Sequence, residues 1–160
     1  MQTIKEIIEI VSKLFGISAA IVAVLTGAFG VYTYFRDSKR KLCSDTIAEY
    51  KRMQEDVFKK LNELTPNDVR VLTETADSTA YYELQDCLAK IEHFCVGINR
   101  GVYDFETVYQ LSHGYFDYKL QRLFEPLLDQ KLNKYDGGED YYNNLHKVWA
   151  RMKARSDKEL

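Results

Sequence analysis

The chain has 160 residues and a mass of 18.7 kDa, the size of one domain and too short for two ordinary globular domains. Its 22 basic and 24 acidic residues give a net charge of −2, which excludes the strong positive field of a general nucleic-acid-binding protein. A hydrophobic content of 46% excludes intrinsic disorder, and three cysteines cannot form a closed disulfide framework, so we expect free thiols.

The chain begins with a short patterned segment. Ile4, Ile7, Ile8 and Val11 fall on one helical stripe, and the charged residues lie elsewhere. We predict that residues 1–13 form an amphipathic segment, which lies on the outer leaflet of a membrane or extends the helix that follows.

An uncharged stretch comes next. Residues 14–35 read LFGISAAIVAVLTGAFGVYTYF, which is 22 residues without an Asp, Glu, Lys, Arg or His. At about 1.5 Å per residue, such a helix crosses the roughly 30 Å hydrocarbon layer of a bilayer. The alternatives are a buried core helix and a cleavable signal peptide, whose apolar region is usually about 7–15 residues. We predict a single transmembrane helix over residues 14–35.

Small residues follow one another along this stretch at steps of four and three, the spacing of a left-handed helix pair. We predict an oligomerisation seam through which the spans pack closely; the alternative is the general enrichment of glycine in membrane helices. An adjoining, partly hydroxylated line would face the lumen if the spans formed a ring. The seam comprises Gly16, Ala20, Ala23, Gly27 and Gly30, and the adjoining line includes Ser12, Thr26 and Thr33.

A basic juxtamembrane cluster, Arg36, Lys39, Arg40 and Lys41, follows the stretch. Only two lysines precede it, and two glutamates balance them. Because the stronger basic cluster stays in the cytoplasm, we predict an N-terminus outside and a cytoplasmic body of residues 36–160.

Helical periodicity dominates this body. We expect its first helix to continue from the span and to end before Thr65, which caps a short helix opened by Pro66 and Asp68. The predicted inner stripe of the first helix is Ile47, Tyr50, Met53, Val57, Leu61 and Leu64.

The next predicted helix starts near Asp77 or Ser78 and stops at Asn99-Arg100-Gly101, where glycine takes a left-handed conformation. Its apolar stripe is Leu84, Cys87, Leu88, Ile91, Phe94, Cys95 and Ile98. Asp104 is expected to cap the helix after it, with core positions at Phe105, Val108, Tyr109, Leu111, Phe116, Leu120, Leu123 and Phe124.

The helical pattern is then interrupted at Pro126 and at Asp136-Gly137-Gly138. A last helix is predicted from about Asp140 to Arg155, with Leu145, Val148, Trp149 and Met152 on its inner stripe. The predicted fold is therefore all-α: one N-terminal transmembrane helix followed by a four- to five-helix cytoplasmic bundle.

Catalytic and metal-binding signatures are sparse. His93, His113 and His146 fall on three different helices, and no metal-ligand spacing, nucleophile elbow or phosphate-binding loop occurs. We therefore predict neither a metal nor a cofactor, and the absence of an intact catalytic motif weighs against an enzyme. The one candidate catalytic pair is Arg100 with His113, which could serve phosphodiester cleavage. The alternative is that Arg100 simply stabilises a helix C-terminus.

The run Ile91-Glu92-His93-Phe94-Cys95-Val96-Gly97-Ile98-Asn99-Arg100-Gly101-Val102-Tyr103-Asp104 resembles a family of bacterial single-pass proteins known mainly as a domain of unknown function. The architecture also resembles the small membrane accessory proteins of type VI-B CRISPR systems. These are HEPN-like bundles that assemble into pores and assist an RNA-guided RNase in phage defence. The resemblance implies a bacterial inner-membrane location and an RNA-guided nuclease or RNA as partner. Active HEPN RNases carry an arginine and a histidine with four to six residues between them, whereas twelve residues lie between Arg100 and His113.

Two functions follow from these observations. The first is a membrane-anchored homo-oligomer that acts as a pore or membrane-perturbing accessory in antiviral defence. The alternative is a membrane-tethered HEPN-type RNase or RNA-binding bundle. We favour the first because its seam is present in the sequence, whereas the nuclease motif is not.

Overall fold

A computed structural model describes residues 2–74, 78–123 and 142–159, with all side chains in these ranges except those of residues 2–17, 19, 73, 113, 117 and 118. The described residues contain no strand, which confirms the all-α prediction. The α-helices are α1 (Gln2–Met53), α2 (Lys59–Asn62), α3 (Pro66–Glu74), α4 (Thr79–Asn99), α5 (Phe105–Gly114) and α6 (Asn143–Ser156). Two π-helical segments occupy Gln54–Phe58 and Tyr115–Leu120.

The chain divides into two compact units, Met1–Lys41 and Leu42–Leu160. The first unit belongs to α1, in which every residue from Ala20 to Tyr32 is exposed. Among the residues with described side chains, no helix has a stretch both long and apolar enough to cross a membrane. The side chains of the predicted amphipathic segment 1–13 lie outside the described residues.

In the second unit, several helix ends lie where local sequence signals predict them. Thr65 and Asp68 cap each other reciprocally: the Asp68 amide donates to Thr65 Oγ1 at 3.2 Å, and the Thr65 amide donates to Asp68 Oδ2 at 2.8 Å. Ser78 caps α4, and Asp104 caps α5 by accepting from the Thr107 amide at 2.8 Å. Gly101 has a φ of 72°, the left-handed conformation that glycine adopts after a helix.

The core of this unit consists of the apolar stripes of α1, α4, α5 and α6. All seven predicted positions of α4 are buried, as are the four predicted positions of α6. Two predictions are wrong: Ile47 is 38% exposed and Leu111 is 44% exposed. The neighbouring hydroxyl residues Thr46 and Ser112 are buried instead, because their hydroxyls donate to backbone carbonyls four residues earlier. Phe124, Pro126, residues 136–138 and the predicted helix start at Asp140 lie outside the described residues.

The two π-helical segments meet in this core. The ring of Phe58, at the end of the first segment, lies 4.6 Å from the ring of Tyr115 and 5.8 Å from that of Phe116. The Tyr115 hydroxyl donates to the Phe58 carbonyl at 3.3 Å. Burial raises the pKa of Tyr115, so this hydroxyl stays protonated and available as a donor.

Helix α6 is held at its N-terminus by a carboxylate from α4. Glu92 accepts hydrogen bonds from the Asn144 amide at 3.0 Å, the Asn144 side-chain amide at 2.8 Å and the Leu145 amide at 2.9 Å. Tyr142, at the N-cap position, makes no side-chain capping bond. Glu92 therefore caps α6 from another helix and complements its positive dipole end.

Gly97 gives our first testable prediction. A Cβ added there would clash with the Tyr103 ring. We therefore expect Gly97→Ala to lower the free energy of unfolding by about 1 kcal/mol, because overpacking outweighs the gain in helix propensity. In a Tyr103→Ala background the clash is gone, and the same substitution should raise stability by about 0.5–1 kcal/mol. Urea unfolding of the four variants measures both effects, and the same sign in both backgrounds would contradict the contact.

Candidate functional site

The surface of α1 carries the predicted seam. At about 100° per residue, Ala20, Ala23, Gly27 and Gly30 fall within about 80° of the helix circumference. A Cβ built on Gly27 or Gly30 meets no atom within 4 Å, and Ala20 and Ala23 are exposed. These four residues therefore form a shallow, open face that a second helix can approach closely. The surroundings of Gly16 lie outside the described side chains.

The two described threonines of the adjoining line use their hydroxyl protons within α1. Thr26 Oγ1 donates to the Val22 carbonyl at 2.8 Å, and Thr33 Oγ1 donates to the Phe29 carbonyl at 2.9 Å. They therefore offer acceptor lone pairs, rather than free protons, to a neighbouring helix or a lumen. The side chain of Ser12 lies outside the described residues.

The basic juxtamembrane cluster is exposed throughout. Arg36 contacts the adjacent Asp37 at 3.4 Å, but both side chains remain largely in solvent, so this pair contributes little. Lys39, Arg40 and Lys41 are exposed as well. The cluster thus presents at least three uncompensated positive charges at the end of the apolar stretch.

Arg100 and His113 occupy different structural positions. Arg100 is the C-cap of α4, its side chain is exposed, and its amide donates to the carbonyls of Val96 and Ile98. This is where a cation complements the negative end of a helix dipole. His113 belongs to α5, and its side chain lies outside the described residues, so the pairing of the two stays a prediction.

A cavity of about 440 Å³ lies between the end of α1, the first π-helical segment, α4 and Tyr103. The sequence analysis did not predict it, because its residues come from three separate segments. Met53, Val57 and Phe94 form its buried apolar floor. Its rim carries charged or titratable groups from both walls: Glu49, Arg52, Asp56, Asp86, Lys90 and His93.

Four of the rim charges neutralise one another within their own helices. Arg52 pairs with Glu49 at 2.7 Å on one wall, and Lys90 pairs with Asp86 at 2.6 Å on the other. The hydrogen bond to Asp86 raises the pKa of Lys90, so the ammonium stays charged. Burial, with a smaller contribution from the negative charge of Glu49, raises the pKa of Tyr103 and keeps its phenol neutral.

Two basic residues of α6 contact other residues of the bundle. The Arg151 guanidinium lies 4.1 Å from the centre of the Phe105 ring, and Arg155 contacts Glu106 at 3.4 Å and Glu159 at 2.9 Å. Both arginines therefore tie α6 to neighbouring residues. In the part of the chain that the structure describes, no group of three His, Cys, Asp or Glu side chains is placed to hold a metal ion.

The family model of the domain of unknown function DUF4760 matches residues 15–152, which covers most of the chain. The match includes all but the first residue of the apolar stretch and nearly all of the bundle. No curated protein and no solved structure matches the chain.

Proposed function

The chain belongs to the DUF4760 family, and we propose that it is a membrane-anchored protein that self-associates through α1. The observation that supports this proposal most directly is the exposure of apolar side chains along residues 20–35 of α1. Val24, Leu25 and Phe29 are 69%, 64% and 67% exposed, and no charged residue lies between Ser18 and Phe35. A helix that is apolar on all sides needs lipid or protein around it.

Lipid and a second helix would cover different faces of α1. Bulky side chains such as Ile21, Leu25 and Phe29 suit lipid chains, whereas the seam suits close packing by van der Waals contact. The internal hydrogen bonds of Thr26 and Thr33 make both hydroxyls compatible with an apolar environment.

The proposed membrane span is residues 14–35, a stretch that begins before Ser18, so only its later part lies among the described side chains. The basic juxtamembrane cluster supports a cytoplasmic location of the bundle and an outside N-terminus in a bacterial inner membrane. The finer role, an oligomeric pore or membrane-perturbing accessory in CRISPR-linked defence, rests on the resemblance described above. Liposome leakage induced by the full chain would test it.

The deciding experiment compares the full chain in detergent with the fragment 36–160, using light scattering after size exclusion. We expect a discrete oligomer for the full chain, a monomer for the fragment, and retention of the full chain in membranes washed with alkaline carbonate. A monomeric full chain would contradict self-association, and release by carbonate would contradict the anchor. RNA cleavage by the fragment that is lost in Arg100→Ala or His113→Ala would support the tethered RNase instead.

A further inference from the structure

We propose that the cavity between α1, α4 and Tyr103 binds a small organic monocation, a quaternary or alkyl ammonium group with an apolar body. The proposal concerns the bundle alone and does not depend on the behaviour of α1 in a membrane. The cavity volume of about 440 Å³ lies within the usual range of ligand pockets, about 300–1,000 Å³.

The charge of the rim selects the sign of the ligand. Arg52 with Glu49 and Lys90 with Asp86 form two compensated pairs. Asp56 lines the same cavity and acts on Lys90 electrostatically, but it forms no hydrogen bond or close ion pair among the described residues. The three carboxylates and two basic side chains of the rim together carry one net negative charge. Its positive groups are already paired, so the cavity repels anions such as a phosphate diester and attracts a monocation.

The floor of the cavity selects the type of cation. Met53, Val57 and Phe94 are each at most 4% exposed, and their side chains offer no oxygen or nitrogen ligand for a strongly hydrated metal ion. The rings of Phe94 and Tyr103 lie 5.1 Å apart, and Tyr103 is kept in place by its close approach to Gly97. Aromatic faces beside a carboxylate favour weakly hydrated organic cations through cation–π attraction and apolar contact.

Methyl NMR of the full chain in detergent provides a local test, because Met53 lies in the cavity floor and Met152 lies in the core on α6. The probe is tetramethylammonium, with tert-butanol as a neutral compound of similar shape and sodium as a strongly hydrated cation. We expect tetramethylammonium to shift the Met53 methyl resonance saturably, while Met152 stays unchanged. Neither tert-butanol nor sodium should reproduce the shift.

Two variants complete the test. Asp56→Asn should weaken tetramethylammonium binding by up to about fivefold, the effect of losing one solvent-exposed charge pair. Asp45→Asn removes the same charge from an exposed position on α1 outside the cavity and should leave binding unchanged. A Met53 resonance that does not move, that moves equally with tert-butanol, or that responds equally in Asp56→Asn would overturn the proposal.

Discussion

The double substitution Ala23→Leu with Gly27→Leu should convert the full chain from an oligomer into a monomer. Both residues lie in the seam, and leucine at two successive seam positions separates the helix backbones and removes their van der Waals contact. Nothing in α1 itself resists the change, since Ala23 is exposed and a Cβ at Gly27 meets no atom within 4 Å. The monomer should therefore keep its helix content, and its mass in detergent measures the loss of assembly.

The matched control adds leucine to α1 away from the seam. Val22→Leu with Ala28→Leu increases the bulk of the same stretch, but both positions lie about 100° or more from Gly27 around the helix. This control should remain oligomeric. An unchanged particle mass in the seam variant would contradict the proposed seam, and equal dissociation in the control would show that bulk anywhere on α1 disrupts assembly.

The boundaries of the described helices were predictable because their signals are local. Thr65, Ser78, Gly101 and Asp104 each act through hydrogen bonds or backbone angles within four residues in sequence. A single sequence contains all the information that such a cap requires. The apolar stripes of α4 and α6 were predictable for a similar reason, since their period follows from helix geometry alone.

The errors at Ile47 and Leu111 have a common cause. In each case a hydroxyl residue next to the aliphatic one is buried: Thr46 donates to the Leu42 carbonyl at 2.7 Å, and Ser112 donates to the Val108 carbonyl at 2.6 Å. Thr46 also accepts from the Asp104 amide at 2.8 Å, a bond that links α1 to the cap of α5. A hydropathy scale predicts that isoleucine and leucine are the buried residues. It does not take into account that burying a hydroxyl costs little free energy when the hydroxyl is hydrogen-bonded.

The second π-helical segment has a recognisable signal in the spacing of its buried residues. Val108, Ser112, Phe116 and Leu120 are all buried at steps of four, and a regular α-helix would turn the last of them about 120° away from the first. The extra residue in a π-helical turn takes up this drift. A buried stripe that advances only in fours therefore predicts such a segment.

The cavity and the Glu92 contacts could not be predicted from the pattern of a single helix. Glu92 meets Asn144 across 52 positions of the chain, and the cavity joins three segments. Such pairings depend on how the helices pack, which the pattern of one helix does not determine. The Arg100 and His113 pair was inferred from residue chemistry without this packing information. That pairing stays a prediction, whereas the structure places Arg52 and His93 on one cavity rim.

Replacing Glu92 by alanine should lower the free energy of unfolding of the bundle by about 3 kcal/mol, since three N–H donors at the start of α6 lose a charged acceptor. Glu92→Gln keeps one acceptor oxygen but loses the charge that complements the helix dipole, and should cost about half as much. Trp149 is the only tryptophan and lies in α6, so its fluorescence during urea unfolding reports on this helix.

The control is Glu83→Ala, an exposed glutamate on the same helix, which should change stability by no more than about 0.5 kcal/mol. A double-mutant cycle with Asn144→Ala separates the contact from other effects of losing Glu92. The Asn144 side chain supplies one of the three donors, and the backbone N–H at this position remains in Asn144→Ala, so the two substitutions should be non-additive by about 1 kcal/mol, the contribution of that one hydrogen bond. Equal losses in Glu92→Ala and Glu83→Ala would show that α6 does not depend on this carboxylate, and full additivity would show that the Asn144 side chain gains nothing from it.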